Sequence, residues 1–180
     1  MAEYRCRCGS VRLEIAPFGA RHGNHAICHC TYCRKHAETL GHDEALDEAG
    51  GLRLYQTRPS AVRIAEGREH VRAMTLSGRG PYRWYAACCD SALAVTAPIK
   101  GAPFLSVVGA GLGETPGPIL FRVHTKHATG PVPEDGQRLG FARGTAWLAR
   151  MMTAERLNGG WKRNPFFDDA GDPISTPRRA

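Results

Sequence analysis

The chain has 180 residues, 42% hydrophobic and 23% charged, with a formal net charge of +7, which is the composition of a folded globular protein and excludes a disordered or fibrous chain. No window approaches the roughly 18 uninterrupted apolar residues of a membrane span, and the first residues, Met-Ala-Glu-Tyr-Arg, lack an apolar targeting segment. Neither the acidic stretch at 36–52 nor the basic stretch at 138–180 is long enough to mark a nucleic-acid partner, so we expect one domain, 1–180, in the cytoplasm with no membrane partner; nothing in the sequence fixes an oligomeric state.

Residues 4–15 alternate with period two across the turn Gly9-Ser10 and predict a hairpin, with Cys6 and Cys8 at its tip and Gly9 free to curl the backbone toward sulfur. Residues 25–28 predict a strand running into Cys28-His29-Cys30-Thr31-Tyr32-Cys33-Arg34, and 33–36 the start of a short helical turn whose N-terminal dipole favours thiolate. After an acidic loop at 38–50, the segments 52–55, 62–64, 70–74, 82–85 and 93–96 predict antiparallel strands separated by Gly and Pro signals, and 104–108 one more. Gly109-Ala110-Gly111-Leu112-Gly113 is not a dinucleotide loop, because a Pro-rich turn follows it in place of a helix. A helix is predicted at 145–158, capped by Thr145, with Leu148, Met151 and Met152 as its buried stripe and Asn158-Gly159-Gly160 as its stop. Trp161 and Asn164-Pro165-Phe166-Phe167 are expected to fold back as a lid, and 176–180 to be disordered.

Seven cysteines, an odd number in a chain without an export signal, argue for metal thiolates over disulfides. The spacings C-x-C and C-x-x-C let one tight turn deliver several sulfurs to a soft divalent ion, zinc first among them. Cys6, Cys8, Cys28, Cys30, Cys33, Cys88 and Cys89 suffice for one closed four-sulfur site and one three-sulfur site that keeps a position open. With all seven as thiolates on two Zn²⁺ the net charge falls to about +4. Cys88 is the doubtful ligand, since neighbouring side chains on a strand point to opposite faces, and His25 or Asp90 are alternatives for its place. His124 and His127 lack a nearby carboxylate or cysteine and read as a solvated pair.

Taken together, Cys6-x-Cys8-Gly9, Cys28-His29-Cys30-x-x-Cys33-Arg34 and Cys89-Asp90-Ser91-Ala92-Leu93 resemble the glutathione-dependent formaldehyde-activating (Gfa) family, also called the centromere-protein-V/Gfa domain, over residues 3–110. The resemblance implies a mainly β, Mss4-like fold of zinc-stabilised antiparallel sheets over 3–110, here followed by a C-terminal extension, 111–180, with its α-helix at 145–158. It also implies two zinc ions: a structural one, to which Cys6 and Cys8 contribute half, and a reactive one on Cys28, Cys30 and Cys33. The family pattern C-x-x-C-Gly is broken here, with Ala86 in place of the first cysteine and Asp90 in place of glycine.

The expected activity is that of a carbon–sulfur lyase or synthase acting on a small aldehyde adduct such as S-hydroxymethylglutathione, with glutathione as co-substrate. In that reading Cys28, Cys30 and Cys33 hold the reactive ion, His29 either serves as a proton shuttle for the thiol or, alternating with Cys28 and Cys30, points away from the metal, and Arg34 and Arg83 either grip the thiol's carboxylates or are ordinary surface arginines. His36 lies three residues past Cys33, facing either that pocket or solvent. Trp84, Tyr85, Trp161, Phe166 and Phe167 either wall an apolar pocket or belong to the core. The alternative is a non-catalytic module stapled by zinc that binds a protein or nucleic-acid partner; a third reading, redox sensing through Cys88 and Cys89, requires those thiols to be metal-free.

Overall fold

Alternating burial drives the N-terminal hairpin: in β1 (Ala2–Arg5) and β2 (Arg12–Ile15), Ala2, Tyr4, Leu13 and Ile15 point inward while Glu3, Arg5, Arg12 and Glu14 face out. The computed structural model describes residues 1–180 except positions 79, 137 and 138. The remaining strands are β3 (Asn24–Cys28), β4 (Leu52–Thr57), β5 (Val62–Glu66), β6 (Val71–Thr75), β7 (Tyr82–Ala86), β8 (Ser91–Thr96), β9 (Leu105–Val108), β10 (Phe121–Val123) and β11 (Arg178–Arg179). Among the described residues two α-helices, α1 (Thr31–Thr39) and α2 (Gly140–Leu157), complete a mainly β architecture with one helix near the C-terminus. Among the described residues no helix is long and apolar enough to cross a membrane.

The strands form a three-stranded sheet, β1-β2-β5, and an eight-stranded sheet in the order β10-β3-β4-β9-β8-β7-β6-β11. Side chains alternate across the larger sheet, so each face builds its own core. One face, with Tyr55, Val71, Ala73, Trp84, Ala94, Leu105 and Val107, packs on Tyr4, Leu13, Ile15 and Val62 of the small sheet. The other, with Leu52, Leu54, Met74, Tyr85, Ala92 and Val108, packs on Cys33, Ala37 and Leu40 of α1 and the residue after it. The small sheet and α1 thus cover opposite faces of the large one.

Four expectations are corrected. The large sheet is not wholly antiparallel: β10 pairs parallel with β3, and β11 parallel with β6. The C-terminal helix begins at Gly140, and the Thr145 hydroxyl, inside it, donates to the Phe141 carbonyl one turn back at 2.8 Å, so Thr145 is no cap. The tail at 176–180 is ordered by β11, with Arg178 over the Tyr85 ring at 4.9 Å. Lastly, the turn expected at 33–36 is a nine-residue helix, α1. Phe166 and Phe167 do fold back, as core: Phe166 stacks on Trp84 with ring centroids 4.9 Å apart, and neither phenylalanine is exposed.

Candidate metal centre

The four-sulfur set is assembled by two turns of matching design. In the first, Cys6 and Cys8 flank Arg7; Gly9 takes φ +81°, and the Ser10 hydroxyl lies 3.3 Å from the Cys8 sulfur. In the second, Cys88 and Cys89 adjoin; Asp90 takes φ +51°, and the Ser91 hydroxyl lies 3.2 Å from the Cys89 sulfur. Each turn therefore reads cysteine, left-handed residue, serine. Asp tolerates the left-handed region better than most residues that carry a Cβ, which explains its standing where glycine is usual.

The structure brings Cys88 into the set, and the reason is local. Cys88 and Cys89 lie not on a strand but in the turn between β7 and β8, where the Cys89 N–H donates to the Ala86 carbonyl at 3.2 Å and side chains no longer alternate. Sulfur–sulfur separations are 3.6 Å for Cys6–Cys8, 3.3 Å for Cys8–Cys88, 4.0 Å for Cys6–Cys88 and 3.9 Å for Cys88–Cys89. Tetrahedral ligation with Zn–S near 2.3 Å requires edges of about 3.8 Å, so the set fits one such ion. His25 is engaged elsewhere, its Nδ1 2.7 Å from the Gly117 carbonyl oxygen, and neither it nor Asp90 joins the sulfurs.

Hydrogen bonds aim at the sulfurs as a metal thiolate requires. The Val11 N–H donates to Cys6 at 3.2 Å. Hydrogen bonds from the Ser10 hydroxyl and N–H lower the Cys8 thiol to about 6, whereas burial pushes Cys6 and Cys88 up. Burial also raises Cys89, but hydrogen bonds led by the Ser91 hydroxyl outweigh it and the net shift is downward. Arg7 ties this site to the far end of α1, donating to the carbonyls of Cys89 at 2.5 Å and Gly41 at 2.8 Å. His42, just past α1, accepts from the Ala92 N–H at 2.8 Å; burial lowers its pKa.

The three-sulfur set occupies the other end of the same helix. Cys28 ends β3, Cys30 is the N-cap of α1, and Cys33 lies in its first turn, where the Cys33 N–H donates to the Cys30 sulfur at 3.3 Å. Sulfur thereby replaces the oxygen that usually caps a helix. The three sulfurs lie within 4.8 Å of one another, and no fourth His, Cys, Asp or Glu joins them among the described residues. Hydrogen bonds from Cys28 and Cys33 favour the Cys30 thiolate, with further help from the Cys33 N–H and the Arg83 charge, while Cys28 is pushed up to about 11 and Cys33 higher by sharing protons with it. Cys28 and Cys33 are buried and Cys30 is partly exposed, so this set meets solvent at Cys30.

The other singled-out residues divide. His29 is completely buried, with Nδ1 3.3 Å from the Ala49 carbonyl oxygen and Nε2 3.5 Å from Arg122, so its ring is held by the acidic loop and β10. Arg34 donates to the His127 carbonyl at 2.8 Å and pairs with Glu38 at 3.6 Å. Arg83 is buried on the α1 face of β7, where its Nε donates to the Tyr32 carbonyl at 3.3 Å. His36 is wholly buried, and neither ring nitrogen has a hydrogen-bond partner. His124 and His127 join no metal-compatible group among the described residues. The burial of His36 had no signal in the sequence, whereas the repeated Ser after Cys8-Gly9 and Cys89-Asp90 is a signal that spacing alone passes over.

Among curated proteins none matches this chain. Among solved structures it is similar to a Rhodobacter sphaeroides protein described as a structural genomics target, with 19% identity, a TM-score of 0.48, and coverage of 67% of this chain and 99% of that one. A family model described as a family of unknown function, DUF6151, matches residues 1–176, and the chain belongs to that family.

Proposed function

We propose that this is a two-zinc protein with a Gfa-type, Mss4-like core, acting as a carbon–sulfur lyase or synthase on the adduct of a small aldehyde with a thiol such as glutathione. The supporting observation is the unequal ligand count: four sulfurs at the Cys6, Cys8, Cys88, Cys89 set, three at the Cys28, Cys30, Cys33 set. Closed four-sulfur sites are structural, and sites with three protein ligands are the ones that do chemistry. Zinc held by the three sulfurs would supply a Lewis acid that lowers the pKa of an incoming thiol.

The chain's own residues then supply position. Cys30, at the α1 N-terminus, marks the solvent side from which a thiol enters, and the exposed Tyr32 ring borders it in sequence. With no imidazole or carboxylate joined to the sulfurs among the described residues, the thiol proton passes to solvent. The thiolate sulfur adds to the aldehyde carbon, the carbonyl π pair moves to oxygen, and oxygen takes a proton; cleavage is the reverse. Native mass spectrometry with and without glutathione tests this. Two zincs and a glutathione adduct that disappears in Cys30→Ala are expected; two zincs without any adduct would turn the reading to a stapled binding module, and absence of zinc would overturn both.

A further inference from the structure

Only 4% of Arg83 is exposed, and a buried guanidinium ordinarily has a carboxylate beside it. Here, among the described residues, Arg83 takes part in no ion pair, and its hydrogen bond through Nε goes to a neutral acceptor, the Tyr32 carbonyl in the first turn of α1. Arginine stays charged in proteins, so the charge has to be balanced by something else nearby. Tyr32 lies between Cys30 and Cys33, so this bond sets Arg83 against the segment that carries two of the three sulfurs. Burial, reinforced by the positive charge of Arg83, holds His36 neutral with a pKa down at about 3. His36, one turn beyond Cys33, therefore contributes no charge at neutral pH.

Three thiolates and a divalent ion leave one negative charge, which would repel a further thiolate. A buried guanidinium cancels that charge in a low-dielectric setting where screening by salt is weak. The depth of Arg83 also separates two roles that arginine could have. A residue that grips the tail carboxylates of a thiol needs its guanidinium open at the surface, and Arg83, 4% exposed, offers little of it.

We infer that Arg83 is a positioning residue that fits the Cys28, Cys30, Cys33 site to an anionic fourth ligand, acting on the charge of the incoming sulfur and not on the tail that carries it. The inference rests on the three-sulfur site being open to a thiol. Its test is the protein loaded with cobalt, whose visible bands report each ligand that joins the metal, titrated with glutathione, with 2-mercaptoethanol, which has no carboxylate, and with neutral imidazole. Arg83→Gln is expected to weaken both thiols alike by roughly tenfold to a hundredfold, to leave imidazole unchanged, and to be largely restored by Arg83→Lys. Arg83→Met, close in volume, replaces the Gln variant if that fails to load two cobalts, with the bands of the four-sulfur site reporting the fold. Unchanged thiol binding overturns the inference. So does weakening confined to glutathione, which would assign Arg83 to the tail, or equal weakening of all three probes, which would make it structural. If the unaltered protein binds neither thiol, the open-site reading itself fails, a result separable from all of these.

Discussion

Asp90 bears the strain of the second cysteine turn, and its backbone angle yields a direct expectation. At φ +51° an L side chain costs free energy that glycine avoids, with Asp among the least penalised. Asp90→Gly should leave stability unchanged or raise it by up to about 1 kcal/mol, and Asp90→Val should lower it by about 1–2 kcal/mol, read from urea unfolding of the metal-loaded protein. Asp47 gives the pH dependence. Burial raises its pKa, but the Arg122 hydrogen bond, the Gly51 N–H and neighbouring positive charge outweigh this and the net shift is downward. A carboxylate with a depressed folded pKa adds stability above its unfolded value, near 3.9, and loses it as pH falls through the folded value. Asp47→Asn should therefore be less stable than the unaltered protein at pH 7, and the two melting temperatures should converge in acid; a constant gap down to pH 2 would refute this. The cysteine inventory was legible from spacing alone, because C-x-C and C-x-x-C carry their geometry with them. The place of Cys88 among the four sulfurs was not, since alternation holds on strands and this residue lies in a turn. Nor was the interior setting of His36 and Arg83, because sequence does not distinguish a desolvated imidazole or guanidinium from a solvated one.

Among the elements, α1 shows why a helix can escape a periodicity search. Its sequence, Thr-Tyr-Cys-Arg-Lys-His-Ala-Glu-Thr, offers Cys33, His36 and Ala37 as its buried face, and two of those three are not read as apolar. Its start is fixed by the Cys30 cap, a function spacing arguments assign to Ser, Thr, Asp or Asn. β10 and β11 escaped for another reason: with three and two residues they are too short for a period, and their parallel partners are distant in the chain. The nine strands from β1 to β9 were legible, since alternation or short apolar runs mark each. The α2 start at Gly140 runs against local propensity and is held by tertiary contact, the Gly144 carbonyl accepting from Asn24 at 3.1 Å, with Phe141 edge-on to Phe121. The segment around Phe166 belongs to the central core. Phe166→Ala is expected to cost about 3–5 kcal/mol in urea unfolding, because it empties the space against Trp84.

At the scale of the whole molecule, the four-sulfur set joins the tip of the small-sheet hairpin to the β7–β8 turn of the large sheet, so it pins one layer to the other. Chelation under reducing conditions should free that edge. Amide exchange is expected to accelerate first in residues 2–15 and 84–94, while the β4 and β9 amides stay protected; uniform acceleration would show that the metal supports the whole fold instead. A second consequence follows from where α1 begins and ends. Nine residues long, about 13 Å, it has Cys30 as its cap and Cys33 in its first turn and, through Leu40, Gly41 and His42 past its last, contacts with Arg7 and Ala92, next to the other cluster in the chain. A rigid strut that both clusters help to place gives them a shared thermodynamic coordinate. Filling either one should then tighten the other by the same factor, in whichever order they are loaded, so that the two occupancies report on each other across the protein.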